Sequence, residues 1–411
     1  MSSSRKITLS GIGIVLALAA FIVAAWVGTR PVQSSLADGD RILRPGVIHK
    51  FINDKTVPWR IHVIEIDLSQ PDLHLETARA TDRYRGRETI SSIVSRKSDQ
   101  SRYVVAAING DYFNLETGES QNNHILGGDF VRAFTSPGFH PEYVDIPNSQ
   151  LAITWDKHPS IDQFVFQGSV GWADGKWNTL SGVNIVPRRG GLSLFNSWTE
   201  TSGAIGDESI GSVPLAIVRT ANDTIVCVGQ SQVQYRSDVP IPLNGFVLAG
   251  FKQWRPALDT SYAAGDTVRF VLRMHPAIGK IRELVGGWPR IVRNGKSIFE
   301  SPDFPENVEA AVFSKRHPRT AIGFSADSAR LFFVTVDGRQ ESSVGMSLPE
   351  LARFMISQGI AEGLNLDGGG STTMVVNGEI VNSPSDPTGE RPVGNCILLV
   401  AQNSSPFDPT K

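Results

Sequence analysis

Two aspartates, each followed at once by glycine, are best placed in this chain by type and spacing to do chemistry. Asp367 opens the run Asp367-Gly-Gly-Gly-Ser371 behind the apolar Leu364-Asn-Leu366, and Asp337 precedes Gly338 behind Leu331-Phe-Phe-Val-Thr-Val336. A carboxylate at a strand end, followed by backbone without side chains, lets a ligand come close to main-chain N–H groups. Two carboxylates delivered to one place resemble the acid and base, or nucleophile, of a glycoside-cleaving pair. Alone, Asp-Gly-Gly-Gly is more often a hairpin turn than a site, and Asp before Gly often does no more than cap a turn. The elements around the two aspartates decide between these readings.

Cations stand close by in sequence. Ser314-Lys315-Arg316-His317-Pro318-Arg319 packs three basic side chains and a histidine directly before a strand, and Arg339 and Arg391 follow later. An arginine fork binds phosphate or carboxylate oxygens at two points, although a charge cluster by itself is usually a solvated face. No Gly-x-x-x-x-Gly-Lys-Ser/Thr loop, Gly-x-Gly-x-x-Gly turn, His-Glu-x-x-His helix, Gly-x-Ser-x-Gly elbow or EF-hand loop occurs. Nucleotide, dinucleotide, zinc-protease and serine-hydrolase chemistries therefore lack motif support.

The elements that must position these groups are clearest towards the C-terminus. Leu331–Val336 reads as a buried strand. Ser347-Leu-Pro-Glu350 has capping-box spacing, Leu348, Leu351, Ala352, Met355 and Ile356 form one apolar face, and Gly359 ends the helix. Leu364–Asp367 is the next strand. A strand–helix–strand unit makes its two strands parallel, so Asp337 and Asp367 should face one edge of the sheet. Earlier, Tyr103–Ile108 is a buried-strand run ending in Asn109-Gly-Asp-Tyr-Phe-Asn114. Arg60–Leu68 and Leu73–Ala78 read as partner strands across a Ser-Gln-Pro-Asp turn, and Thr89–Ser95 as a short helix. Gly286-Gly-Trp-Pro-Arg290 to Lys296 and Gly369 to Glu379 share a turn–strand–Asn-Gly-hairpin grammar. Residues 115–270 hold many short β segments, with Trp155, Trp172, Trp177 and Trp198 unplaced.

Composition is that of an ordinary folded protein: 411 residues, 40% hydrophobic and 19% charged, with a net charge of −2 that gives no reason to expect nucleic acid. Cys227 and Cys396 both lie in strand-like runs and read as buried free thiols. At the N-terminus, Arg5 and Lys6 precede an apolar run from Ile7 to Val27. That run exceeds a signal-peptide core of about 7–15 residues, which favours a membrane anchor over a cleaved signal and places the rest of the chain outside the cytoplasm.

Six motifs stand in the order of a known pattern: Ile108-Asn-Gly-Asp-Tyr-Phe113, Arg319-Thr-Ala-Ile-Gly323, Val336-Asp-Gly-Arg339, Gly345 to Ala352, Asn365-Leu-Asp-Gly-Gly-Gly-Ser-Thr-Thr-Met374 and Arg391-Pro-Val-Gly-Asn395. Together they resemble the phosphodiester glycosidase family, whose bacterial members include proteins labelled for exopolysaccharide biosynthesis. The resemblance spans Val47 to Ala401 and is loosest over 120–240. It implies hydrolysis of a sugar-1-phosphodiester, of the N-acetylglucosamine-1-phosphodiester type, at the anomeric C–O bond. It also implies roles: Asp367 and Asp337 as the reacting carboxylates, and Arg319, helped by Arg391, holding the phosphate. Asn109, Asp111, Asn365, Ser371, Arg339 and the Gly368–Gly369–Gly370 backbone would line the substrate site, with Tyr112 or Phe113 stacking on the sugar. Asp111 departs from the family, which often has Gly there.

The expectation is an α/β (α+β), sheet-rich catalytic domain over 46–403 with a C-terminal strand–helix–strand unit. A signal or anchor helix (1–30) and a tether (31–45) precede it, and a polar tail (404–411) follows. The partner would be a phosphorylated glycan in the cell envelope or outside it. No cofactor is required; oxygens near Asp367 could hold a divalent cation, but no cation motif is present. A non-catalytic binder of phosphorylated glycans and a phosphodiesterase cutting the P–O bond are the alternatives.

Overall fold

Leu331–Val336 is apolar at almost every position because the strand it belongs to is covered on both faces. The computed structural model describes residues 40–99, 101–135, 148–186, 190–202, 210–221, 223–300 and 313–402. In it, Phe332, Val334 and Val336 pack against Leu348, Leu351, Ala352 and Met355 of the helix Leu348–Ser357. The alternate residues Leu331 and Phe333 face a second sheet through Ile108, Met374, Ile397 and Leu399. Phe332 and Phe333 are fully buried, each contributing about 2 kcal/mol from apolar area removed from water.

That second sheet, of five strands, has its outer face covered by the helix Ile90–Lys97, whose Ile90, Ile93 and Val94 meet Val104, Ala107, Leu398 and Val400. The layers therefore run helix, eight-stranded sheet, five-stranded sheet, helix. Both helices start where the sequence places a cap. Thr89 accepts from Ser92 N, and Ser347 with Glu350 forms a complete capping box. A third sheet, of thirteen strands, holds its own core around Phe164, Phe166, Trp172, Phe246 and Phe270, and its strands Gln150–Thr154 and Pro159–Asp162 lend Leu151, Ile153 and Ile161 to the central core.

The two strands of the strand–helix–strand unit, Arg330–Val336 and Glu362–Asn365, do run in the same direction, but they are not neighbours. Arg319–Phe324 lies between them and pairs antiparallel with both, Arg319 opposite Val336 and Ala321 opposite Asn365. Two reversals restore the direction, so the edge carrying Asp337 also carries Asp367, and the interposed strand begins there with Arg319. Antiparallel pairing predominates in all three sheets, which is the α+β form of the expectation.

Two local expectations need correction. Leu73–Arg79 is not the partner of Trp59–Asp67; it pairs with Asn395–Gln402 in the other sheet. Both edges of Trp59–Asp67 are already taken, by Val47–Asp54 and Arg330–Val336, so the chain crosses layers at the turn. The strand before Asp367 ends at Asn365, although Leu366 N still donates to Thr320 O. The two Asn-Gly hairpins are as expected: Asn294 and Gly295, and Asn377 and Gly378, all have positive φ, the primed-turn geometry that Asn-Gly favours. Cys227 and Cys396 are free and buried. A short helix, Arg255–Ser261, was hidden in the unreadable middle. No helix among the described residues is long and apolar enough to cross a membrane; the expected anchor, 1–30, lies outside them.

Candidate active site

The stretch Leu364–Met374 leaves the eight-stranded sheet and enters the five-stranded one at Met374–Val376. It crosses where Arg102–Asn109 ends, and Asn109 pins the crossing. The Asn109 amide donates to Asp367 O (2.7 Å), while its Oδ1 accepts from Thr320 Oγ1 (2.7 Å) and Thr373 N (3.2 Å). Asp367 N donates to Gly110 O (3.1 Å). Asn109 is 1% exposed with its amide engaged at both ends. It fixes Asp367 with a side chain engaged within the protein, whereas the resemblance implied that it touches substrate.

Backbone without side chains is needed at this crossing for identifiable reasons. Gly369 has φ +61°, and a Cβ there would lie 3.0 Å from the Arg339 guanidinium. At Gly370 a Cβ would fall 2.1 Å from both Arg391 Nη2 and Asp386 Oδ1. Gly369 N donates to Pro318 O (3.0 Å), which seats the loop against the start of the Arg319 strand.

Asp367 is half-buried and accepts from its neighbour Gly368 N (2.9 Å). Burial pushes its carboxyl up to about 6, against the opposing pull of Ser371, Gly368 N and Arg391. The second carboxylate that senses this charge is Asp111. It is 2% exposed and accepts from Asn122 N (3.0 Å) and Asn122 Nδ2 (2.6 Å). Burial, and then the negative charge of Asp367, hold Asp111 up at about 7. Asn395 fixes the Asp111 backbone, its Oδ1 accepting from Asp111 N (2.7 Å). Gly286 makes room, since a Cβ there would lie 2.6 Å from Asp111 Oδ1.

Asp337 reaches the expected edge but is sealed. Its carboxyl has no exposed surface; Oδ1 accepts from Ser383 N (2.8 Å) and Asn382 Nδ2 (3.3 Å), and Arg60 Nε lies 3.8 Å from Oδ2. Burial raises its proton affinity.

Arg319 is buried, and no carboxylate pairs with it among the described residues. Its Nε donates to Met346 O (2.8 Å) and its Nη2 to Lys315 O (2.9 Å). Desolvation lowers its proton affinity, as does the nearby positive charge of Arg339, while Tyr112 opposes them. Arg339, exposed and at φ +60°, meets His317 Nδ1 (3.5 Å). Burial, with Arg319, Arg339 and Lys315 around it, keeps His317 below its ordinary value. Arg316 of the same cluster is spent on Glu350 at the helix start (3.1 Å from Nε). A buried guanidinium with no carboxylate partner among the described residues, beside a second cation and a glycine loop, has the chemistry to bind an anion.

The aromatic expectation divides. Phe113 is 5% exposed and belongs to the core beneath the helix Ile90–Lys97, so it cannot stack on a ligand. Tyr112 is half-buried, its hydroxyl donating to Trp288 O (3.0 Å) and accepting from Asn365 Nδ2 (3.0 Å). Asn365 also donates to Trp288 O (2.7 Å), while its buried Oδ1 has no partner. Ser371 is buried next to Arg391 Nη1 (3.5 Å). No cluster of three or more His, Cys, Asp or Glu able to hold a metal occurs among the described residues. Sequence reasoning missed Asn122, Asn395 and Asp386 as supports. Only Asn395 carried a signal, at the end of a recognised motif.

Residues 216–400 match the family model for phosphodiester glycosidases. The human N-acetylglucosamine-1-phosphodiester alpha-N-acetylglucosaminidase is 37% identical over 112 residues, covering 25% of this chain and 21% of that protein, about a fifth of its length. Among solved structures, a hypothetical protein from Synechocystis superposes with a TM-score of 0.65 at 19% identity, over 91% of this chain and 64% of the other. A putative exported protein from Burkholderia pseudomallei gives 0.62 at 23% identity, over 83% and 74%. At these identities the two structures show a shared fold.

Proposed function

We propose that this protein hydrolyses a sugar-1-phosphodiester at the anomeric carbon–oxygen bond, releasing the sugar and a phosphomonoester. The observation that carries the reading is the buried, carboxylate-free Arg319 on the same sheet edge as Asp367, whose own loop packs on Pro318. A phosphodiester anion is the charge this arrangement lacks. Arg319, with Arg339 above Gly369, would hold its oxygens and take up the charge that builds on the departing phosphate. A phosphate monoester is a stable leaving group, so the main demand on the protein is at the other face of the sugar. There Asp367, ionised above about 6, serves as base towards water or as nucleophile towards the anomeric carbon. Asn109 and the Gly110 carbonyl position it. Asp337 supports the same edge from beneath through Asn382 and Ser383.

The family supports the reaction class, and the human relative's name points to N-acetylglucosamine as the first sugar to try. Two further parts of the reading come from sequence: the apolar run 7–27 as a membrane tether, and a cell-envelope or extracellular glycopolymer, exopolysaccharide included, as substrate. Membrane fractionation with protease accessibility tests the placement.

The full chain incubated with UDP-N-acetylglucosamine and para-nitrophenyl N-acetylglucosamine-1-phosphodiesters in oxygen-18 water tests the chemistry. Label in the released sugar is expected. Label in the phosphate would establish P–O cleavage, and binding without turnover across a panel of sugars would establish a glycan-binding protein.

A further inference from the structure

Arg391 was expected to help hold the phosphate, but its guanidinium is already occupied. Asp386 grips it at two points, accepting from Nε at 2.7 Å and from Nη2 at 2.9 Å. The remaining Nη1 lies 3.5 Å from Ser371 Oγ, in the same loop as Asp367. The pair is packed onto the glycine loop itself, since any Cβ at Gly370 would collide with both Arg391 and Asp386. Its own segment is held down from the other side. Glu390 accepts from Ser91 N (2.9 Å) and from Ser91 Oγ at the start of the helix Ile90–Lys97. Nothing in this arrangement leaves Arg391 a free fork for a ligand.

We infer that Asp386 is a positioning residue for Asp367: by gripping Arg391 it holds the guanidinium against Gly370 and Ser371, and so fixes the loop that carries Asp367 and the cation beside it. The inference rests on the reading of Asp367 as the reacting carboxylate and assigns Arg391 a tuning role in place of phosphate binding. The charged and titratable groups that act on Asp367 are Arg391 from this segment and Asp111 and Tyr112 from the loop after Arg102–Asn109; Arg339 lies beyond Gly369 and Arg319 beside Tyr112. Arg391 is the cation packed onto the glycine loop itself, and Asp386 is the charge that offsets it.

Two substitutions should move Asp367 in opposite directions. Asp386→Asn keeps a side-chain oxygen to accept from Arg391 but removes the negative charge. The unneutralised guanidinium then favours ionised Asp367, and its titration midpoint should fall by about half a pH unit to one unit. Asp386→Ala releases Arg391 to solvent, so Ser371 and Asp367 lose the cation and the midpoint should rise by a similar amount. Carbon-13 carboxyl titration of the full chain, with Asp367 assigned from Asp367→Asn, reads both shifts without any need for turnover. Far-UV circular dichroism checks folding, and Asp386→Asn carries the test alone if Asp386→Ala does not fold. Unmoved midpoints in both variants, or shifts in the same direction, would overturn the inference. Should the opposite shifts appear while no form turns over a sugar phosphodiester, the positioning role stands and the proposed reaction falls. With turnover, the acid limb of the pH–rate profile should follow the two midpoints.

Discussion

Asp337 and Asp367 begin as near equivalents and end as opposites. Each follows a strand of the same direction, the two strands flank Arg319–Phe324, and each is succeeded by a glycine packed against Pro318. A Cβ on Gly338 would meet Pro318 N at 2.6 Å, and one on Gly368 would meet Pro318 O at 2.9 Å. Yet Asp337 is sealed under Asn382 and Ser383, with Ser343 Oγ donating to its carbonyl (2.7 Å), whereas Asp367 is only half-buried. The difference lies in what comes next. After Gly338 the chain turns at once through Arg339 and folds back at Ser343. After Gly368 two more glycines carry it across to the other sheet, leaving backbone where side chains would have covered the acid. A strand end supplies a carboxylate; the following residues decide whether it is structural or exposed for chemistry.

The largest effect should come from replacing the open member. Asp367→Asn is expected to lower kcat at least ~10³-fold with the fold intact, the loss typical when an essential acid–base or nucleophilic group is removed. Asp337→Ala should act differently. It leaves Ser383 N, Asn382 and Arg60 without their buried acceptor, costing about 1–3 kcal/mol of stability, with activity falling only as folded protein is lost. Urea unfolding alongside steady-state kinetics separates the two. A kcat loss at Asp337 as deep as that at Asp367, in fully folded protein, would erase the distinction. Between these positions lies Arg319, whose substitution by Ala should weaken phosphodiester binding about 100-fold while changing free-sugar binding little. Calorimetry with both ligands checks this, and equal losses would remove its phosphate role.

Much of this edge was legible because local signals agreed. The Ser347–Glu350 capping box, the apolar face of Leu348, Leu351, Ala352 and Met355, and the Asp-Gly stops all pointed to one arrangement, and strand direction survived even though Arg319–Phe324 had slipped between the pair. Pairing partners were not legible. Leu73–Arg79 carries a strand pattern that fits either sheet, and its choice of Asn395–Gln402 depends on contacts more than three hundred residues away. The same holds for Asp111, whose environment is made by Asn122 and Asn395, and for Phe113, an aromatic that belongs to the core beneath a distant helix. Residues 115–270 stayed unreadable because their strands close on one another through a largely separate core, with few helices or caps to punctuate them. Trp172 is buried there while Trp155 and Trp177 are about half exposed, and periodicity cannot tell these apart.

Stability as a function of pH offers the finest test of the contrast. Asp367 has a folded-state value near 6, above the ordinary 3.8. The folded protein therefore binds this proton more tightly than the unfolded chain does. The stability that goes with it is fully present below about pH 3.8 and is lost as pH rises through 6. Asp367→Asn removes the penalty while keeping the shape, so the variant should match wild type near pH 4 and exceed it by about 1–3 kcal/mol at pH 8. Histidines provide an internal reference of opposite sign. His49 and His62 are held down to about 4 and 3 by burial, so they destabilise the folded state as pH falls below 6.5 and should do so equally in both proteins. Asp337, whose proton affinity burial also raises, carries the same sign as Asp367. Paired urea titrations at pH 5, 6.5 and 8 would show a difference that opens with pH for Asp367→Asn. A flat difference for Asp367→Asn would mean that its carboxylate is as well solvated as an ordinary surface acid, and the site would lose the perturbed group on which its chemistry depends.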